Sequence, residues 1–403
     1  MKMRPFRYEL LILWFLALIV LTSVTTAISG EIKLTPGLSV RETYNDNIDF
    51  TQRNKIDDYI TTIIPSLDIS RQGEKSRIGA GASAGVKRYS EKHHLNRTDQ
   101  RYNLTFDYTP SPLFTINAKG SYVRDITTES ELEETGLRYE HTVERKAARF
   151  QPGLVWKISE ADSISLNSGY SGVRYDEPSY LGYDDYSDYD SYNGGLVCSH
   201  VISNKGSTFF INSGYARTDY KKTSDNTVNY SLYSGFNFLL GPKWSTNLWA
   251  GARRTISDYY QIMPDKTEKK WTDKNWGGIG SISLVRSFKR GSVSAGLSRD
   301  IASSGRYETV ERTLASMNFN YRLTRRLNGA LSGSWSSSKS DSDYRHTDAD
   351  FYSLSSSLSY QILSKTTAMV SYSHSKSKDH YDNTRAGRNV VFIQITTYLE
   401  RLL

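Results

Sequence analysis

The sequence predicts an all-β protein: a transmembrane, antiparallel, up-and-down β-barrel of about eighteen strands, with sixteen as the alternative count. Three observations lead there. Phe351 to Leu363 (FYSLSSSLSYQIL) places Tyr352, Leu354, Leu358, Tyr360 and Ile362 on one parity and Ser353, Ser355, Ser357, Ser359 and Gln361 on the other. Successive strand side chains point to opposite faces, so this is a ribbon with an apolar, Tyr-ended face and a hydroxyl face. A 3.6-residue period would scatter the serines around the circumference. Only 37% of the 403 residues are hydrophobic and mean hydropathy is −0.55. That is little for a dry core of this size, whereas a barrel needs apolar side chains only at alternate strand positions. Finally, long polar loops alternate with short turns, as strands running up and down through a bilayer require. Tyr 29 against Phe 14 suits a membrane–water boundary, because the ring is apolar and its tip polar.

The chain opens with a basic segment (Lys2, Arg4, Arg7), an apolar run from Leu10 to Leu21, and small residues with Thr25 and Ala27 ahead of a cut. This is the layout of a secretory signal peptide over residues 1–29, cleaved near 27–30, leaving 30–403 as the barrel domain. The weaker alternative is an anchor helix, for which the run is short and lacks a stop-transfer flank. No later run approaches the length of a membrane helix, so a membrane-integral mature chain must close into a barrel.

The strands follow in order. Leu34 to Thr43 aligns Leu34, Leu38 and Val40; after a polar loop to Asp57, Tyr59 to Ser70 aligns Ile63, Leu67 and Ile69. Arg77 to Tyr89 alternates small residues. Tyr102 to Tyr108, the link TPSP and Phe114 to Arg124 precede an acidic loop from Thr127 to Glu140. Phe150 to Ile158 and Ile164 to Tyr170 flank the turn SEAD and lead to an Asp/Tyr-rich loop. Tyr192 to Val201 and Phe209 to Arg217 flank NKGS; Val228 to Phe238 and Trp244 to Arg254 flank GPK. A long charged loop is expected from Tyr259 to Lys270. Trp276 to Phe288 and Ser292 to Arg299 flank KRG, and Thr313 to Leu323 and Leu327 to Trp335 flank TRR. Phe351 to Leu363, Thr366 to Lys376 and Asn389 to Leu399 complete the set. The Gly-rich strands Tyr192 to Val201 and Trp276 to Phe288 have ambiguous facing. The pattern gives nine long loops, expected to be extracellular, and eight short periplasmic turns.

RETYNDNIDF (Arg41 to Phe50) followed by DDYITTIIPSLDIS (Asp57 to Ser70) resembles the opening of a family of outer-membrane β-barrel porins of Gram-negative bacteria. In that family a strand ends Y-x-D-N, a polar loop and an Asp follow, and the returning strand reads I-x-P-x-L. Tyr44, Asp46, Asn47, Asp58, Ile63, Pro65 and Leu67 stand here in that order. The motif-like match covers the first hairpin; the remainder matches in length, rhythm and composition. The resemblance implies the outer membrane, surrounding lipid and lipopolysaccharide, and the barrel-assembly machinery as a partner. Some relatives are associated with exopolysaccharide or exosortase clusters. Such barrels commonly end on an aromatic residue; this chain ends TTYLERLL, with Tyr398 near the end and Leu403 last.

Strand parity places Arg41, Lys87, Arg101, Lys119, Arg149, Lys157, Arg253, Arg312 and Arg322 inward, with Asp68 and Asp107 among the acids. A mid-membrane Arg or Lys on the lipid face costs about 2–4 kcal/mol, so inward placement is expected whatever the function. The bland reading is a solvated wall with crossing ion pairs; the functional one is an anion-favouring pore or a channel for acidic sugars. Lys2, Arg4, Arg7 and Glu9 give the N-terminal segment +2 of the total +8, so the remainder carries +6, mild and dispersed. Nucleic-acid binding would need a clustered basic face or a known motif, and neither is present.

Asp184, Asp185, Asp188 and Asp190 lack EF-hand spacing and read as a polar loop. His93 and His94 adjoin and point apart. His374 lies between Ser373 and Ser375, which face the opposite side and so cannot readily share a proton with it. Cys198 is the single cysteine, which excludes an intramolecular disulfide. No catalytic constellation, cofactor site or metal site is expected. The function expected is passive diffusion of small polar solutes, with anion selectivity left open beside the bland reading of the wall. Alternatives are a barrel component of exopolysaccharide export, a non-conducting surface barrel, or a secreted adhesin, the last disfavoured by the lack of a fixed-period repeat. No loop is apolar enough to stand out as a constriction.

Overall fold

The computed structural model describes residues 30–138, 142–176, 186–203, 206–222, 225–262, 268–305, 308–340, 347–399 and 401–402. The expected signal peptide lies outside them, as do Asp184, Asp185 and Leu403.

Eighteen long strands follow one another. They are β1 (Gly30–Asn45), β2 (Asp58–Gly73), β3 (Ser76–Tyr89), β4 (Arg97–Ser111), β5 (Phe114–Ile126) and β6 (Glu144–Lys157). Then come β7 (Asp162–Asp176), β8 (Tyr189–Val201), β9 (Thr208–Tyr220), β10 (Asn226–Leu239), β11 (Trp244–Ile262) and β12 (Glu268–Phe288). The last six are β13 (Gly291–Ser304), β14 (Glu308–Arg322), β15 (Leu327–Ser340), β16 (Asp348–Leu363), β17 (Thr366–Asp379) and β18 (Thr384–Tyr398). Each pairs antiparallel with its neighbours in sequence. β18 returns to β1 from Gly37↔Tyr398 to Asn45↔Val390, so the sheet closes into a barrel. The two residues Arg401–Leu402 extend that pairing to Leu34 and Lys33. We term the rim where β1 passes into β2 the loop rim, and the opposite one the turn rim.

Closure explains why alternation rather than hydrophobic content fixes this fold. Every strand keeps one apolar parity, and that parity faces out: Leu67, Leu154, Leu166, Leu232, Leu297 and Ile393 are all exposed. Leu354, from the serine-rich ribbon, is 50% exposed. The two Gly-rich strands resolve the same way, with Tyr192 and Leu196 of β8 and Trp276, Ile282 and Leu284 of β12 turned outward. A continuous apolar belt of this extent exceeds the patches tolerated by soluble monomers by a wide margin.

Aromatics border the belt on both sides. Toward the loop rim, cross-strand pairs join Tyr44 to Tyr59, Tyr102 to Tyr122, Tyr170 to Tyr192 and Tyr215 to Tyr230, with ring centroids 5.1–5.9 Å apart. Toward the turn rim, Phe114 stacks on Trp156 at 6.0 Å and Phe209 meets Phe236 at 5.0 Å. β18 ends there on the exposed Tyr398.

One expected loop is largely strand. The segment Tyr259 to Lys270 continues the β11–β12 ladder to Ile262 and Glu268, with Tyr260 opposite Lys270. Its charges are cross-strand partners: Lys270 Nζ lies 2.9 Å from Asp258 Oδ2, and Thr272 donates to Asp258 Oδ1 at 2.7 Å. Polar pairs hold a ladder above an apolar belt as well as apolar ones do, so charge alone does not end a strand.

Candidate functional site

A barrel of eighteen strands encloses a lumen wider than its wall side chains can fill. The space is taken instead by links that fold inward from the loop rim. The principal one joins β5 to β6, where Ser130–Thr135 forms the helix α1. Glu131 and Glu133 in its first turn favour the helix N-terminus. Gly136 ends it with φ 73°, and its N–H donates to Leu132 O at 2.9 Å. A side chain there would also start 2.7 Å from Ser336 Oγ on β15, so the close approach requires glycine twice over. Thr127 N–H donates to Val143 O at 3.0 Å and cinches the link at its base.

The seat of α1 is electrostatic. Glu129 lies 2.8 Å from Lys87 Nζ and 2.7 Å from Arg97 Nη2, and Asp99 completes the cluster at 2.6 Å from Lys87 Nζ. Glu131 is fully buried, 3.0 Å from Nε of Arg145, itself only 1% exposed. It also accepts from Tyr175 Oη at 2.8 Å and from Gly305 N–H at 3.0 Å. Glu134 takes Arg145 Nη2 and Arg149 Nη2, each at 2.6 Å. Arg312 donates to the Glu134 carbonyl and Ser338 to the Thr135 carbonyl, both at 2.5 Å. Burial opposes the charge on Glu129, yet Lys87 and Arg97 hold its carboxyl down at about 2. Burial, and then the charge of Glu129, push Glu133 up.

An apolar contact completes the seat. Leu132 packs with Phe50, Phe351 and Ala386, joining α1 to the β1–β2 link and to β16 and β18. Arg388 stacks over Phe50 with its guanidinium carbon 5.0 Å from the ring centre. A second core crosses the lumen beside it, with Leu137 and Val143 of the link among Val173, Tyr186, Tyr220 and Val310. The loop-side lumen is thus a packed interior.

The first-hairpin motif residues anchor this arrangement. The Asn47 amide donates to Thr51 O at 2.8 Å and Gly387 O at 3.0 Å, and Asp46 accepts both Asn389 N–H and Nδ2 at 2.6 Å. Asp58 accepts Lys92 N–H at 2.9 Å and Tyr59 N–H at 2.8 Å. Tyr44 donates to Asp57 at 3.3 Å, while Pro65 and Leu67 lie on the outer face.

The expected inward charges fall into two groups. Lys87, Arg149 and Arg312 meet the link as described, and Arg41 donates to Gln394 at 2.7 Å and covers Phe392. Arg101 is exposed on the inner face of β4. Arg253 lies apart, on β11, 3.1 Å from Glu311. Asp68, Asp107, Lys119, Lys157 and Arg322 are exposed toward the turn rim. There Arg322 borders a cavity of about 310 Å³ with Asn320, Asn328, Ser357 and Ser359. Sequence reasoning missed Arg97, Arg145 and Arg388, and the roles of Glu129, Glu131 and Glu134. The available signal was four glutamates around a single leucine, opposite an inward excess of arginine. No loop stands out as a constriction by apolar bulk, and the inward-folded link is seated mainly by charge.

The remaining candidates have structural partners. Asp190 accepts Arg174 at 2.7 Å and lies 2.6 Å from Lys221 Nζ. Asp188 accepts Tyr175 N–H at 2.9 Å, and His93 Nδ1 lies 2.9 Å from Tyr89 O. His374 Nδ1 lies 2.9 Å from Asn389 Oδ1. Cys198 is exposed.

No protein-family model matches the chain, and no curated protein matches it. Among solved structures, the siderophore receptor PiuA from Acinetobacter baumannii superposes with TM-score 0.50 at 8% identity, over 92% of this chain and 82% of that one. OpdK of Pseudomonas aeruginosa, solved with vanillate, gives 0.47 at 12% identity over 92% and 99%. OccAB3 of Acinetobacter baumannii gives 0.45 at 11% identity over 92% and 99%. The PiuA likeness is one of fold alone.

Proposed function

We propose that this chain is an outer-membrane channel of a Gram-negative bacterium, passing small polar solutes by diffusion and favouring anions. The single observation that carries the reading is a closed barrel with an unbroken apolar belt outside, aromatics at both edges and a polar lumen inside. Residues 1–29 would export it, the barrel-assembly machinery would insert it, and lipid and lipopolysaccharide would surround it, with the loop rim outward. The lumen supplies a filter rather than a reaction centre. Arg41, Arg101, Arg149 and Arg312 surround an acidic link that neutralises some of them, while Lys119, Lys157 and Arg322 face water nearer the turn rim. Positive charge left over along a wet wall raises the local concentration of anions. Reversal potentials in planar bilayers under a salt gradient test the reading. Anion preference that weakens in an Arg101→Gln/Arg322→Gln variant is expected; cation preference, or no conductance from detergent-refolded chain, would overturn it.

A further inference from the structure

The barrel wall is not evenly sealed. β12 keeps β13 only from Gly280↔Arg299 to Phe288↔Gly291. Nearer the loop rim, residues 268–279 have β11 as their only ladder partner among the described residues. β13 runs on to Ser304 paired with β14 instead.

The reason is visible in side-chain parity. Ser303 and Glu311 lie on the parity of Leu297 and Met317, which face outward lower down. Yet Ser303 Oγ is 3.0 Å from Thr218 Oγ1, and Glu311 Oε2 is 3.1 Å from Arg253 Nη2, both on inner faces of β9 and β11. Tyr220 Oη, also from β9, donates to Glu308 O at 2.7 Å. The outer face of the upper β13–β14 hairpin therefore lies against the inner face of β9–β11, and the wall is lapped. At its end, Gly305 bonds Glu131 of α1 and accepts Ser187 N–H at 2.8 Å.

We propose that the upper β13–β14 hairpin (residues 300–305 and 308–312) is a gate leaf with a second seat on β12 at residues 276–278, just beyond the end of the β12–β13 ladder. Continuing the existing register pairs Gly278 with Ile301, Gly277 with Ala302 and Trp276 with Ser303, and puts Ser303 back on the outward parity beside the exposed Trp276. The move withdraws Val310 from the loop-side core and Gly305 from Glu131, which frees α1 on one side. The inner seat is held by hydrogen bonds, one ion pair and the buried Val310, and the outer one would be held by ladder bonds between the edges of residues 276–278 and 301–303. A side chain at Gly278 would meet nothing within 4 Å, so its face has room for a substituted residue, whereas one at Gly277 would meet the Arg253 guanidinium at 2.8 Å. Lys269, Lys270 and Lys274 on the same stretch deter a foreign strand. This inference rests on the channel reading and supplies the motion that a filled lumen needs in order to conduct.

The test uses the full chain in outer-membrane vesicles and planar bilayers, in a Cys198→Ser background. Thr218→Cys/Ser303→Cys ties the inner seat and Gly278→Cys/Ile301→Cys ties the outer one. Both pairs are expected to cross-link under mild oxidation. The first bond abolishes the open level until reductant restores it; the second holds the channel open. An outer pair that never cross-links while the inner pair does, or an inner bond that leaves conductance unchanged, overturns the gate. Cross-linking yield is read by mass spectrometry and needs no current. A silent protein would therefore remove the channel reading while the second seat was still decided.

Discussion

The two halves of the lumen are made by the same strands and hold opposite contents. On β15, Ser338 is buried beneath the Thr135 carbonyl, while Asn328 on the same inner face stands exposed beside the 310 Å³ cavity. β14 repeats the contrast, with Arg312 bonded to α1 and Arg322 in the open. Strand alternation fixes which way a side chain points, but the links decide whether it meets water. In a barrel of this width function is set by what folds into the lumen, and the wall is a frame for it.

The largest expected effect comes from erasing the contrast. Replacing residues 129–136 by a short Gly/Ser link should raise single-channel conductance several-fold; unchanged conductance would place the narrowest point elsewhere. Glu131→Ala comes next. It leaves the buried Arg145 with Glu134 in place of two carboxylates, and losing one partner of such a buried pair costs up to about 3–5 kcal/mol. Hydrogen exchange should report loosening confined to α1 and its neighbours, with the turn-side strands unmoved. The outer belt gives a third comparison: Leu354→Arg should cost about 2–4 kcal/mol of barrel stability in lipid, whereas Ser355→Arg, one residue on but inward, should cost far less. Equal costs would contradict the assignment of faces.

Acidity sharpens the comparison further. The Glu129 carboxyl is depressed from its ordinary 4.5 to about 2, so what it adds to the seat is complete above pH 4.5 and is lost as pH falls toward 2. Glu133, pushed up by burial, works in the opposite sense and protonates first. Conductance should therefore hold steady from pH 7 to 5 and rise only below about 4.5. A rise already complete by pH 5 would exclude Glu129 as the latch. The smallest effect belongs to Arg322→Gln in the open half, where a modest loss of anion preference should accompany a stability change within about 0.5 kcal/mol.

How much of this was legible in the sequence follows the same division. Local alternation, as in Phe351 to Leu363, specifies strand, face and number, because a period of two is written within a dozen residues. The constriction is not local. Glu129 needs Lys87 and Arg97, Glu131 needs Arg145, and Leu132 needs Phe50 and Phe351, partners brought together only by closure. The acidic run was visible and its direction was not. The β11–β12 extension was misjudged for a related reason. Lys270 reads as a loop residue until Asp258 and Tyr260 stand across the ladder from it and its neighbours.

Thiol accessibility along a single strand tests the account most directly. In a Cys198→Ser background, Asn328→Cys and Ser338→Cys place one thiol in each half of the lumen on the same face of β15. A charged, membrane-impermeant methanethiosulfonate added to channels in a bilayer should modify the first quickly, with a step down in current, and leave the second untouched until residues 129–136 are removed. Equal rates at the two positions would contradict a lumen that is filled at one end and open at the other.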